Sequence, residues 1–172
     1  MLRVSAVPGG RFQHALLRTR DIELTARWAL SALPEGAPVS VHFHTRVIGG
    51  GGQYRFYIAI MPSGDLLATL AKAEAGASSP LAGPIQVGSG YVPGKWWHVR
   101  VQATGSTPTT LRARVWKHGS PEPATWALEL ADGTAGLQAD SHAVQIGVYA
   151  RAGARSLPIE AMFDDVSVKG SI

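Results

Sequence analysis

The sequence has no cysteine, which removes disulfide scaffolds, thiolate metal sites and cysteine nucleophiles together. It is also poor in charge. Asp, Glu, Lys and Arg make up 16% of its 172 residues, against the roughly one quarter usual in globular domains. With 45% hydrophobic residues beside so little charge, a disordered chain is excluded and a sizeable core is expected. The apolar residues come only in short runs. None approaches the roughly 18 consecutive residues of a membrane-spanning helix, so no membrane span is expected. The opening Leu2-Arg3-Val4-Ser5-Ala6-Val7-Pro8-Gly9-Gly10 lacks the long apolar stretch of a signal peptide. Export by another route, release by lysis or prior trimming is therefore the expectation. A concentrated basic stripe is missing as well. The net charge is +4, and twelve arginines among sixteen basic residues are scattered along the chain, unlike the clustered arrangement of nucleic-acid binders. No nucleic-acid partner is expected.

What is present is alternation with a period of two. In Asp21 to Leu30 the even positions are apolar, the pattern of a strand with one buried face. Val39, Val41, Phe43, Thr45 and Val47 alternate with Ser40, His42, His44 and Arg46. Four glycines from Gly49 to Gly52 then separate this run from Tyr54, Phe56, Ile58 and Ile60, as a hairpin loop would. Further strands are expected over Leu66 to Ala73, Trp96 to Ala103, Leu111 to Lys117, Trp126 to Leu130, Ala143 to Ala150 and Leu157 to Val168. The Gly-, Ser- and Pro-rich stretch from Ala75 to Pro93 reads as irregular, with one short strand near Ile85 to Val87. Ten or eleven short strands without a dividing linker predict an all-β, two-sheet antiparallel β-sandwich of the jelly-roll kind, one domain over residues 1–172. By parity, Val41, Phe43, Phe56, Ile58, Val99, Val101, Val115, Ile146, Val148 and Phe163 face inward, and Trp28 and Trp126 join them.

Three segments carry a family resemblance: Gly94-Lys95-Trp96-Trp97-His98-Val99-Arg100-Val101, Leu111 to Gly119 with the following Pro121-Glu122-Pro123-Ala124-Thr125-Trp126, and Met162-Phe163-Asp164-Asp165-Val166-Ser167-Val168. From about Phe12 onward the chain resembles the concanavalin A-like lectin/glucanase superfamily in its laminin-G-like form, of the kind found in actinobacterial proteins and phage tail proteins. The resemblance implies a jelly roll that commonly binds glycans or cell surfaces. It names no ligand, because so widely used a fold separates easily from function.

Catalysis is not expected. A retaining glycosidase needs two carboxylates about 5 Å apart, and the nearest candidate, Asp21-Ile22-Glu23, is followed on the same strand face by Thr25 and Arg27 rather than a third acid. Asp164 and Asp165 are adjacent and in a regular strand would point to opposite faces. His42 and His44 could chelate a transition metal, but no third ligand stands near them in sequence. No cofactor is expected. Calcium at a loop edge is the one metal the resemblance leaves open, with Asp132, Asp140, Asp164 and Asp165 as candidate ligands.

Outward-facing aromatics beside planar polar groups are the remaining candidates. Trp96, Trp116, Tyr57 and Tyr149 are expected as stacking platforms, with His98, Arg100, Arg112 and Arg114 as their hydrogen-bonding neighbours, the combination that sugar recognition requires. The expected function is a non-catalytic surface recognition module binding a glycan or cell-surface ligand, on a phage tail or bacterial surface protein. The expected location is accordingly a virion or the extracellular cell surface. The alternatives are a structural virion or assembly domain contacting other subunits and, more remotely, a glycoside hydrolase.

Overall fold

The alternating segments assemble, in a computed structural model that describes residues 1–16, 18–141 and 143–170, into twelve strands. They are β1 (Leu2–Ala6), β2 (Arg11–Leu16), β3 (Ile22–Leu30), β4 (Val39–Ile48), β5 (Gly52–Ile60), β6 (Leu66–Glu74), β7 (Ala77–Gly88), β8 (Trp97–Thr104), β9 (Thr109–Lys117), β10 (Leu128–Asp132), β11 (Ala143–Ala150) and β12 (Ile159–Gly170). Helix among the described residues is confined to two single 3-10 turns, Gly49–Gly51 and Ala135–Leu137. The first sheet has the order β1-β12-β3-β8-β9-β10 and the second β2-β11-β4-β5-β6-β7. Every neighbouring pair is antiparallel. The protein is an all-β sandwich of two six-stranded sheets.

The inward rows of the two sheets interdigitate as parity predicts. Val41, Phe43, Phe56, Ile58, Ile146 and Val148 of the second sheet are buried against Val99, Val101, Val115 and Phe163 of the first. Phe43 and Phe163 meet edge to face across the gap, their ring centroids 5.9 Å apart, a contact that adds to simple area burial. At one end Trp28 stacks between Tyr91 (5.9 Å) and Trp97 (6.5 Å).

The fold departs from the sequence expectation at five places. Strands β1 and β2 extend the sheets with residues that carried no predicted strand. The Gly- and Pro-rich stretch is not irregular but holds the twelve-residue β7. Strand β7 is an edge strand paired only with β6, through several register shifts, and on an edge the missing N–H groups of Pro80 and Pro84 cost no ladder bond. Trp126 lies outside the core, before β10 begins. Asp164 and Asp165, expected on opposite faces, converge on Arg27 at 2.7 and 3.1 Å. A bulge between Asp164 and Ser167, with Asp165 at φ 49°, breaks the alternation there.

The fifth departure is Arg46, expected outside with the histidines and found fully buried. The register shifts between Thr45 and Ile48, and Arg46 takes φ 46°, which turns its side chain inward. Its guanidinium donates to the Arg20 carbonyl at 2.9 Å and to Thr109 Oγ1, the Leu137 carbonyl and the Gly105 carbonyl. Those acceptors offset the desolvation of a buried charge and tie three loops to the end of the sandwich.

Candidate functional site

Six of the eight candidate residues stand on or beside the outer face of the first sheet. Across the β3–β8–β9 ladder, Arg27 is level with His98 and Trp116, and Thr25 with Arg100 and Arg114. The His98 ring stacks on Trp116 at 5.2 Å, its Nε2 lies 2.8 Å from His118 Nδ1, and Arg27 lies over the Trp96 ring at 4.9 Å. The loop between β9 and β10 folds back over this face. It places Glu122 against Arg100 Nε (2.6 Å) and Nη2 (3.0 Å) and against Arg114 Nε (2.6 Å). Glu23 closes on Arg100 Nη1 at 2.6 Å from the other side, Arg112 donates to Glu129 at 2.8 Å, and Trp126 lies under Arg114 at 4.2 Å. Glu122 is held below the usual carboxylate range by the Arg100 hydrogen bonds, with Arg114 adding to them. Burial would raise Glu23, yet hydrogen bonds from Gln102 and Arg100 bring it below that range too. The arginines expected to meet a ligand here are occupied by the protein's own acids.

The outer face of the second sheet is organised differently. Three level rows cross it: His14–Gln145–His44–Arg55, Phe12–Gly147–His42–Tyr57, and Tyr149–Ser40–Ala59. The small residues Gly147, Ser40 and Ala59 lie among larger side chains here, and the face holds a groove of about 630 Å³, whose lining includes Phe12, His42, His44, Arg55, Tyr57 and Tyr149. Gly147 is required here. A Cβ on it would stand 2.2 Å from the Arg11 carbonyl oxygen and 2.6 Å from Phe12 Cδ1, so only glycine lets the Phe12 ring lie across β11. That ring reaches His44 at 4.9 Å and His42 at 5.6 Å, while His42 stacks on Tyr57 at 5.0 Å and meets Tyr149 edge-on at 6.2 Å. Tyr57 and Tyr149, predicted together with the tryptophans, thus lie on the opposite side of the sandwich from them. Strands β5 and β11 belong to the second sheet, and β8 and β9 to the first.

A continuous hydrogen-bond chain runs along the groove floor. Ser40 Oγ lies 2.8 Å from His42 Nε2, His42 Nδ1 is 3.3 Å from His44 Nε2, His44 Nδ1 is 3.0 Å from Gln145 Oε1, and Gln145 Nε2 is 3.1 Å from His14 Nδ1. Each neutral ring is a link in this chain, one nitrogen donating and the other accepting, and the tautomer sets its direction. Burial holds His44 down to about 4, a shift only partly opposed by the Gln145 hydrogen bond. Burial also holds His42 well below its ordinary value, with His44 and Arg55 adding to the effect. Both rings are neutral at physiological pH. No carboxylate lines the groove among the described residues.

The acids considered for calcium are dispersed. Asp132 accepts from Tyr54 Oη at 2.9 Å, Asp140 pairs with Arg20 at 3.1 Å, and Asp164 and Asp165 share Arg27. Among the described residues no group of three or more His, Asp or Glu side chains gathers around one point.

No family model matches the chain, and no curated protein matches it in sequence. Solved structures do. The carbohydrate-binding module CBM66 from Bacillus subtilis aligns over 98% of this chain and 95% of its own, with TM-score 0.58 and 11% identity. The β-glucanase of Bacillus licheniformis aligns over 94% of this chain and 75% of its own, with TM-score 0.60 and 9% identity. The fold is the concanavalin A-like jelly roll. The same jelly roll appears in the CBM2 module of an evolved Dit from phage J-1 of Lactobacillus casei BL23, over 96% of this chain and 74% of that one, with TM-score 0.55 and 6% identity. The neighbours thus include both binding modules and an enzyme. At these identities they share architecture alone.

Sequence reasoning did not select Phe12, His42, His44, Gln145 or Arg55 as ligand-facing. A signal for four of them was present: His42, His44, Arg55 and Gln145 alternate with core residues, which puts Arg55 outside with Tyr57 and Gln145 with Tyr149, while the two histidines were weighed only as metal ligands. For Phe12 there was no signal, because its position depends on β2 pairing with β11, more than a hundred residues away.

Proposed function

We propose that the chain is a glycan-binding module whose site is the groove on the outer face of the second sheet. The observation that carries this reading is a concave floor where the rings of Phe12, Tyr57 and Tyr149 border the polar edges of Ser40, His42, Gln145 and Arg55. Flat rings stack on the C–H faces of a pyranose or furanose, and planar donors and acceptors take its hydroxyls. The binding-module neighbours support the reading through shared architecture. Among the described residues the groove supplies no carboxylate pair for the two-acid mechanism of glycoside hydrolysis, so binding is favoured over hydrolysis. A place on a phage tail or bacterial surface, facing a cell, is the setting we propose for such a module, and one domain spanning residues 1–172 is its proposed extent.

Calorimetric titration against a panel of soluble polysaccharides tests the proposal. One or more should bind, and Tyr57→Ala should weaken that binding by roughly five- to thirtyfold, the value of one lost stacking contact of about 1–2 kcal/mol. A folded protein that binds none of the panel overturns it. An assembly role has one observation in its favour. A small apolar cleft at the sheet edge is lined by Leu2, Leu24, Val144, Ile146, Val166 and Val168, the kind of surface that subunit contacts cover. Its test is the mass of the protein in solution with and without Val166→Asp.

A further inference from the structure

We propose that the glycan held in this groove carries an anionic substituent, a uronate carboxylate or a sulfate, and that Arg55 is the residue that receives it. The inference rests on the glycan-binding reading above and goes on to name the ligand class.

The argument begins with the twelve arginines. Six lie on the exposed surface, where water satisfies the charge. The other six, Arg27, Arg46, Arg55, Arg100, Arg112 and Arg114, are withdrawn from solvent. Five of these have a carboxylate within reach: Arg27 with Asp164 and Asp165, Arg46 with Asp21, Arg100 with Glu23 and Glu122, Arg112 with Glu129, and Arg114 with Glu122. Arg55 has none among the described residues. With the Gln53 amide turned so that its oxygen faces the guanidinium, that oxygen accepts from Nε at 2.8 Å and from Nη2 at 2.6 Å, a neutral partner that leaves the positive charge uncompensated. Removing a guanidinium from water without a counter-charge is unfavourable, and desolvation does weigh against the charge of Arg55. A chain that pairs every other half-buried arginine leaves this one open, and it does so at the wall of the groove.

The rest of the lining agrees. Burial keeps His42 and His44 neutral, so neither adds charge to the groove and neither competes for Arg55. The groove's second formal charge is also positive, that of Arg151 at its edge. A carboxylate or sulfate would complete a charge-assisted pair with the planar guanidinium, which suits two-point contact with either group. The aromatic rings would carry the sugar itself.

The probes are polygalacturonate and polymannuronate, each beside its carboxyl-reduced polymer, and a sulfated galactan beside its desulfated form. At least one charged polymer should bind about tenfold more tightly than its uncharged partner, with an affinity that falls as salt rises. Arg55→Gln should bring the charged polymer down to the level of the uncharged one, and Arg55→Lys should restore part of the difference. Arg112→Gln, on the other face, should change nothing. Preference within the uronate pairs assigns a carboxylate, and preference within the galactan pair assigns a sulfate. Equal binding of charged and uncharged polymers, unaltered by Arg55→Gln, overturns the anionic assignment and leaves the glycan-binding reading standing. Failure of every polymer, charged or not, to bind the folded protein is instead the failure of that underlying reading.

Discussion

Arg100 and Arg55 occupy equivalent situations on opposite sheets: each is half-buried, on an outer face, with histidine and aromatic side chains close by. Arg100 is held by Glu23 and Glu122, both at 2.6 Å, whereas Arg55 meets an amide and, among the described residues, no acid. The difference comes from one loop. Pro121 to Trp126 folds over the first sheet, bringing Glu122 between Arg100 and Arg114 and Trp126 beneath Arg114. Among the described residues no loop brings an acid into the groove of the second sheet. The composition of a face therefore does not decide whether it is available to a ligand; whether its polar groups already have partners does.

Both faces stand on one core, and the largest effect should come from breaking it. Phe43→Ala removes a fully buried ring that touches Phe56 in its own sheet and Phe163 across the gap. Chemical denaturation should show a loss of roughly 3–5 kcal/mol, as for other buried Phe truncations. A loss below about 1 kcal/mol would mean that the two sheets do not share this contact.

Acid should separate the faces. A histidine whose pKa is lower folded than unfolded contributes stability that is whole above its unfolded value. That stability is lost as pH falls toward the folded one. For His44, lowered from 6.5 to about 4, the loss falls between those two values and amounts to about 3 kcal/mol at most. His42 acts in the same direction. The groups facing this pair are His14 on β2, Arg55 and Tyr57 on β5, and Tyr149 on β11. On the first face the sign is that of lowered carboxylates. The stability from Glu23 and Glu122 is intact above their unfolded value of 4.5 and disappears below it. Melting curves should thus show the second face weakening first, and His44→Gln should flatten the profile above pH 4.5 while leaving the lower limb in place. An unchanged profile in His44→Gln would show that the buried imidazoles are not the source.

These faces were unequally legible in the sequence. Core and fold were read from alternation, because an inward position must be apolar on every strand and the pattern is local. The first face was also local: β8 and β9 are consecutive strands, so Trp96, Trp116 and their arginines could be placed together. What was not local was missed. That Glu122 would reach back to Arg100, or that Phe12 would lie across Gly147, depends on loop geometry and on pairing between distant strands. Arg46 was misplaced for a related reason, since a bulge turns a side chain without marking itself in composition.

Glu122→Gln should convert part of the first face to the condition of the second. It leaves Arg100 with Glu23 alone and Arg114 without its acid. Because all three groups are partly exposed, the loss should be about 1–2 kcal/mol, between that of a surface pair and that of a buried one, and it should shrink with added salt. Glycan affinity should not change. A rise in affinity for an anionic polymer would show that a freed arginine on either face is enough to make a site.

The smallest effect is the most discriminating. Trp116 is half-buried at the end of β9, stacked on His98 at 5.2 Å, with His118 beyond it. Its ring covers the rim rather than the core, so Trp116→Ala should shift stability by less than about 1 kcal/mol, as surface substitutions do. It stands on the opposite face from the groove, so it should leave glycan affinity unchanged while Tyr57→Ala reduces it. The two substitutions measured side by side decide which face meets the ligand. If Trp116→Ala abolishes binding and Tyr57→Ala does not, the tryptophan and histidine stack of the first sheet is the platform. Its arginines would then act through the rim and not through the pairs that hold them. If Trp116→Ala instead unfolds the protein, the β9–β10 loop relies on that ring for its position, and the clamp of Glu122 on Arg100 should be lost with it.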